Sequence, residues 1–331
     1  MLNIERTKLE IRLSLKQLFL IVSFIFFLIL LYNSTAQEDN WSSQIAKSIG
    51  LNHAIIIGID HYENFDDIKG PSNDAEALYQ VLTTGYHFDK KNISLLTSMT
   101  KDKPTTANII DSLAKFLPKS QNESFQNDNL IIFYSGRSEE DENDTYWITA
   151  DSQSYSMMSH KEITNKFFKK FRLKHLLIVS DSFFNQELIS STENQIFVND
   201  FQYLDWIMEY GQKFSRKIIF SDDNVWSTKK IPETGLFDDS KFKGFDSKKE
   251  FIGVLSDNKD HTLFFTYLIQ ALQLNKNSVI DIENLLFDFD DIFQPFCKKT
   301  GSKIKRGKLR DSMDKDGLFV FVKKPPVIKL L

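Results

Sequence analysis

Cysteine is nearly absent. Cys297 stands alone among 331 residues, so the chain closes no disulfide within itself and builds no cysteine-based metal site. It follows Pro295-Phe296 and precedes a basic run, without a neighbouring histidine or a glycine-rich elbow, and reads as a structural thiol. Glycine is scarce, at 12 residues. No glycine-rich phosphate loop, dinucleotide fingerprint or zinc-ligand spacing occurs, which argues against the nucleotide and metal enzymes built on those motifs. Charge of one sign is not in excess either: a formal net charge of −4 and a pI near 5.9 supply no global pull towards nucleic acid, and no nucleic-acid partner is expected. Repeats and low-complexity stretches are missing. What is plentiful is phenylalanine, 30 residues, read as filler for a core that 41% hydrophobic content makes sizeable.

The one long apolar run lies at the amino end. Arg6, Lys8, Arg12 and Lys16 precede Leu18 to Tyr32, and Ser34-Thr35-Ala36 supplies small residues at cleavage-type spacing. Residues 1–36 therefore read as a cleaved signal peptide or an uncleaved membrane anchor. Either way the basic flank stays inside and the remainder is exported, to a periplasmic, extracellular or anchored outer location. Residues 37–52 are polar and read as a tether.

Beyond them, apolar runs at Ala54–Ile59, Ile93–Leu96, Leu130–Tyr134, His175–Val179, Lys217–Phe220 and Gly317–Val322 have the length and composition of strands, most of them buried on both faces. Tyr146–Ile148 reads as a short strand or hairpin arm. Helical spacing occurs from Asp74, with Asn73 as its cap, from Thr105 to Leu117, from Ile163 to Phe171, from Phe201 to Tyr210, and in two stretches after residue 260. The second of these carries Val279, Ile282, Leu285, Leu286, Phe289, Ile292, Phe293 and Phe296 as one packing stripe. Residues 222–260 read as loop. This alternation implies an α/β domain over 53–324 with a mostly parallel six-stranded sheet and helices on both faces, and a tail at 325–331.

Chemistry in such sheets gathers where the strands end. The strand from His175 ends in Asp181-Ser182-Phe183 and the one from Leu130 in Ser135-Gly136-Arg137. These tips, with Gly58-Ile59-Asp60-His61-Tyr62, Ile68-Lys69-Gly70-Pro71-Ser72-Asn73-Asp74-Ala75, Ser215-Arg216 and Gly317-Leu318-Phe319-Val320-Phe321, resemble in order the caspase-like cysteine peptidases, metacaspases and their bacterial relatives in particular. The resemblance covers most of 52–324 and implies a three-layer sandwich. It also implies a histidine in a Gly-His-Gly loop after the third strand and a cysteine in an Asp-Ser-Cys loop after the fourth. Here those positions hold Arg137 and Phe183. A guanidinium stays protonated and cannot act as general base, and a benzyl group has no heteroatom with which to attack. No catalytic residue is therefore expected at either position.

By resemblance, Asp181 lies in a pocket for a basic substrate side chain, with Ser182, Ser215 and Arg216 as further substrate-pocket or partner-binding residues. The local reading of Asp181 is an ion pair with Arg137. The acidic loop Glu139–Asp144 is a candidate for the calcium some metacaspases require, although its spacing is not that of an EF-hand. The basic run from Lys298 to Arg310 reads as a solvated loop or as a contact for an anionic partner. The expected function is a non-catalytic, exported pseudopeptidase that binds a peptide or protein with basic side chains, or pairs with another caspase-fold protein. Its alternative is a peptidase homologue with residual hydrolase activity at Ser182, assisted by His61 or His160.

Overall fold

The structure, a computed structural model, describes residues 20, 22–24, 26–27, 44–118, 125–153, 156–190, 200–221, 260–300 and 304–324; for 200–202 and 295–300 it describes the backbone alone. Two compact units result, Met1–Gln44 and Ile45–Leu331. In the first, residues 20, 22–24 and 26–27 are helical and exposed, and the rest of the segment read as signal or anchor lies outside the described residues. Among the described residues no helix is long and apolar enough to cross a membrane. The stretch read as loop at 222–260 and the tail at 325–331 also lie outside, save Asp260.

The second unit is built on β1 (Asn52–Gly58), β2 (Ile93–Thr97), β3 (Asn129–Ser135), β7 (His175–Asp181) and β9 (Ser215–Ser221), all parallel. β11 (Ile304–Leu309) adds antiparallel to β9, and the two-residue β8 (Ile189–Ser190) adds to β11, giving the order β2-β1-β3-β7-β9-β11-β8. Seven strands stand where six were expected. The sixth is not Gly317–Val322: β12 (Val320–Val322) pairs with β10 (Val279–Asp281) in a separate ribbon. A three-stranded antiparallel sheet of β4 (Ser138–Glu140), β5 (Thr145–Trp147) and β6 (Met158–Ser159) hangs beside β3.

Side-chain alternation sorts the core into two layers. Ala54, Ile56, Ile131, Phe133, Leu177 and Val179 face α1 (Pro71–Gly85), α5 (Leu263–Leu274) and α6 (Ile282–Thr300). Ile55, Ile57, Ile132, Tyr134 and Ile178 face α2 (Thr106–Ala114), the β4–β6 sheet and α3 (His160–Ile163), which continues as a π-turn over Thr164–Phe168. Phe133, Phe168, Phe171, Phe220, Phe265, Phe289 and Phe319 are fully buried, so phenylalanine does serve as core filler. A further cluster joins Ile207 of α4 (Asp200–Tyr210) to Val279, Leu318 and Val320.

Four expectations need correction. Asn73 does not cap α1: the helix starts at Pro71 behind Gly70, whose φ of 114° suits glycine alone, and the carboxylate of Asp60 receives Ser72 N–H at 2.8 Å. Val279 lies in β10, not on the α6 stripe. Ile45 and Ile49, in the stretch read as tether, are buried against Val279 and Leu318. The basic run is no free loop, because its residues 304–309 form β11, where Arg306 pairs with Asp290 at 2.9 Å and Lys308 with Asp316. Charged ends on aliphatic stems are a usual dress for strands near a sheet's rim.

Candidate functional site

β3 and β7 bring the two tips together. Ser135 is paired with Asp181 in the parallel register, so Arg137 and Phe183 each stand two residues beyond paired positions on neighbouring strands. α1 packs behind them, and its approach is so close that a Cβ on Gly58 would sit 2.2 Å from Pro71 O.

Arg137 is held from several sides. Its N–H donates to Tyr62 Oη at 2.8 Å, its carbonyl receives Tyr134 Oη at 2.5 Å and Ile148 N–H at 3.0 Å, and its Nε donates to Asp66 O at 2.7 Å. The guanidinium carbon lies 5.9 Å from the centre of the Tyr62 ring. Phe183 is half-buried, and Phe184 is buried against His160, with ring centres 4.4 Å apart. Arg137 carries a guanidinium that stays protonated and Phe183 a benzyl group without a heteroatom.

Asp181 does not pair with Arg137. It points into a buried polar cluster with Asp74 of α1, where Ser135 Oγ bridges the two carboxylates at 3.4 and 3.5 Å. Among the described residues no cation bonds Asp181. Burial first, and the neighbouring Asp74 second, push its carboxyl up to about 7. Burial also pushes Asp74 up to about 6, against the opposing pull of His261 and Thr262. His261 Nδ1 lies 2.8 Å from Asp74 Oδ1, and Thr262 Oγ1 donates to Oδ2 at 2.7 Å. Sequence reasoning used Asp74 only as part of a motif and missed His261 and Thr262. The resemblance to an Asn-Asp-Ala segment was the one signal that pointed towards this cluster.

The remaining predicted residues separate. Ser182 is buried, and among the described residues its hydroxyl has no hydrogen-bond partner. His160 accepts Asn185 N–H at its Nδ1, 3.2 Å away, and burial lowers its pKa to about 3. His61 is exposed and bonds Asp67 Oδ2 through Nδ1 at 2.7 Å. Among the described residues neither imidazole hydrogen-bonds Ser182. Ser215 and Arg216 start β9, and in a parallel sheet a strand's first residues lie at the edge opposite the tips. Arg216 is buried there, donating to the carbonyls of Phe171, Leu173, Lys174 and Ser215 at 2.6–3.3 Å. It belongs to the scaffold and not to the site.

The acidic loop is also committed to structure. Asp141 Oδ1 receives the N–H groups of Asn143 and Asp144. Asp144 turns inward to accept from Thr145 N–H, Lys161 N–H, Ser159 Oγ and Asn185 Nδ2. Among the described residues no cluster of three or more His, Cys, Asp or Glu could hold a metal ion.

Residues 51–312 match the family model described as Caspase domain. Metacaspase-1 of Saccharomyces cerevisiae (strain ATCC 204508 / S288c) is 31% identical over 105 residues, which is 31% of this chain and 23% of that protein. Metacaspase-1 of Candida albicans is 32% identical over 114 residues, 33% of this chain and 24% of that protein. The match thus spans about a quarter of these curated relatives. Among solved structures, protein GSU0716 from Geobacter sulfurreducens aligns over 82% of this chain and 100% of its own at 13% identity and a TM-score of 0.44. Caspase-1 from Spodoptera frugiperda aligns over 82% and 89% at 11% identity and a TM-score of 0.41.

Proposed function

This chain belongs to the caspase-domain family of peptidases, and on that premise we propose that it is a non-catalytic member, exported behind residues 1–36, which binds a peptide or protein partner through a basic side chain received at Asp181. The observation that supports this reading is the register of Ser135 with Asp181, which puts Arg137 and Phe183 each two residues beyond a paired position on neighbouring strands whose tips hold a buried acid. Cleavage by the family's chemistry requires a thiolate or hydroxyl, an imidazole in hydrogen-bond reach, and donors for the oxyanion. Arg137 and Phe183 supply neither a nucleophile nor an imidazole, and among the described residues the buried Ser182 hydroxyl bonds no imidazole.

What supports ligand binding is the state of Asp181. A carboxyl buried with only hydroxyl partners weakens the fold it sits in, and perturbed acids of this kind gather at functional sites. A Lys or Arg side chain would supply the missing charge and donors.

The full chain is to be incubated with basic, acidic and neutral fluorogenic peptides, with and without calcium, beside Ser182→Ala. No turnover above buffer is expected from either protein. Turnover that Ser182→Ala removes would overturn the non-catalytic reading. In calorimetry, Lys- and Arg-containing peptides are expected to bind, and Asp181→Ala to weaken them about tenfold or more. Unchanged affinity in that variant rejects the pocket.

A further inference from the structure

The Asn73-Asp74 pair spends both side chains on one short segment of the chain itself. Asn73 Nδ2 donates to Asp260 O at 2.8 Å. Asp74 receives His261 Nδ1 at 2.8 Å and Thr262 Oγ1 at 2.7 Å, with Thr262 N–H at 3.3 Å from both of its oxygens. These residues form the entry to α5, whose first turn Thr262 caps by accepting from Phe265 N–H. The imidazole lies roughly parallel to the Phe265 ring, with centres 5.8 Å apart. Asp74 is 0% exposed and His261 2%. One carboxylate of the acidic pair is therefore saturated with donors from within the chain. The other, Asp181, shares only the long Ser135 contact and the Thr262 hydroxyl.

An N–H aimed at a buried carboxylate is what a lysine or arginine side chain would bring to the same place. A carboxylate whose lone pairs are already filled gains little from a further donor, whereas one stripped of its partner and left buried gains a great deal. We propose that His261 is an intramolecular ligand of the Asp74–Asp181 pair, a latch that an incoming basic side chain must displace to engage both carboxylates. This inference rests on the reading of Asp181 as a receptor for basic groups. It adds that occupancy is set by competition with the chain's own imidazole. The same contact accounts for the use of Asn73 and Asp74, which hold the latch segment at Asp260 and at His261.

The test uses the full chain and benzamidine as the cationic probe, titrated into the wild type, His261→Ala, His261→Asn and Asp181→Asn. His261→Ala is expected to bind benzamidine about tenfold tighter than wild type. His261→Asn, whose amide restores an N–H towards Asp74, is expected to return near the wild-type affinity, and Asp181→Asn to abolish binding. Equal affinities for wild type and His261→Ala, with Asp181→Asn still weakening, overturn the latch and leave the pocket standing. Absence of binding in both wild type and His261→Ala overturns latch and pocket together. If His261→Ala fails to fold, the imidazole nitrogen resonances of His261 in the wild type decide the matter. Saturating benzamidine is expected to shift them, and unmoved resonances at saturation overturn the latch.

Discussion

Replacing Asp181 with Asn is expected to stabilise the protein at alkaline pH while removing its proposed ligand site. Asp181 is 7% exposed, and burial, followed by the charge of Asp74, raises its carboxyl from 3.8 to about 7. Since the folded-state value lies above the unfolded one, the native protein keeps a proton that the unfolded chain releases. Stability is then full below about pH 4 and falls as the pH rises through 7. The gap between 3.8 and 7, at about 1.4 kcal/mol per pH unit, amounts to about 4 kcal/mol. Asp74, itself raised to about 6, titrates with it, so roughly half of that penalty, about 2 kcal/mol, is expected to be relieved by substituting one partner. Asparagine keeps an acceptor for Ser135 and gains an amide that can donate to Asp74. Urea unfolding followed by tryptophan fluorescence at pH 5, 6.5 and 8 measures the effect. The wild type is expected to lose stability over that range and the variant to lose much less. A variant no more stable than wild type at pH 8, or one with the same slope, refutes the account of Asp181 as an uncompensated buried acid.

His160 should stay neutral throughout. Its pKa, lowered by burial from 6.5 to about 3, makes its contribution to stability complete above about pH 6.5 and lost as the pH falls towards 3, so its imidazole resonances should not titrate between pH 8 and 5. Trp147 is fully buried, stacks on Tyr134 with centres 4.4 Å apart and donates to Ser180. Trp147→Ala should cost about 3–5 kcal/mol in chemical denaturation, and a loss under about 1 kcal/mol would deny the hairpin its anchoring role. Burial acts to raise the Asp144 carboxyl, yet its hydrogen bonds from Ser159, Asn185, Lys161 and Thr145 prevail and hold it below the ordinary range. Asp144→Ala strands those donors and should cost about 2–3 kcal/mol, with faster amide exchange at Asn185.

The strands that carry the tips were legible because each is a short, unbroken apolar run. Leu130–Tyr134 and His175–Val179 contain too little polar surface to lie anywhere but inside a sheet covered on both faces. β11 was not legible. Its Ile304-Lys305-Arg306-Gly307-Lys308-Leu309 alternates weakly, and its charges are tolerated only because Asp290 and Asp316 meet them from elsewhere. β12 was read as a strand, but its partner was not, since pairing with β10 depends on where α5 and α6 place Val279–Asp281. Arg216 looked like a ligand-binding residue beside Ser215. Which end of β9 it occupies follows from strand direction, and strand direction is a property of the sheet.

By itself the sequence determined that an α/β sheet would form and that Arg137 and Phe183 would follow just beyond the ends of two of its buried parallel strands. Side-chain type and apolar run length are local quantities. Tertiary structure alone decided what Asp181 faces, because the answer lies in Asp74, in Ser135 and in Thr262 from the distant entry to α5. A buried carboxylate takes its charge state and its partners from whatever the fold carries to it, and no local pattern encodes that neighbour.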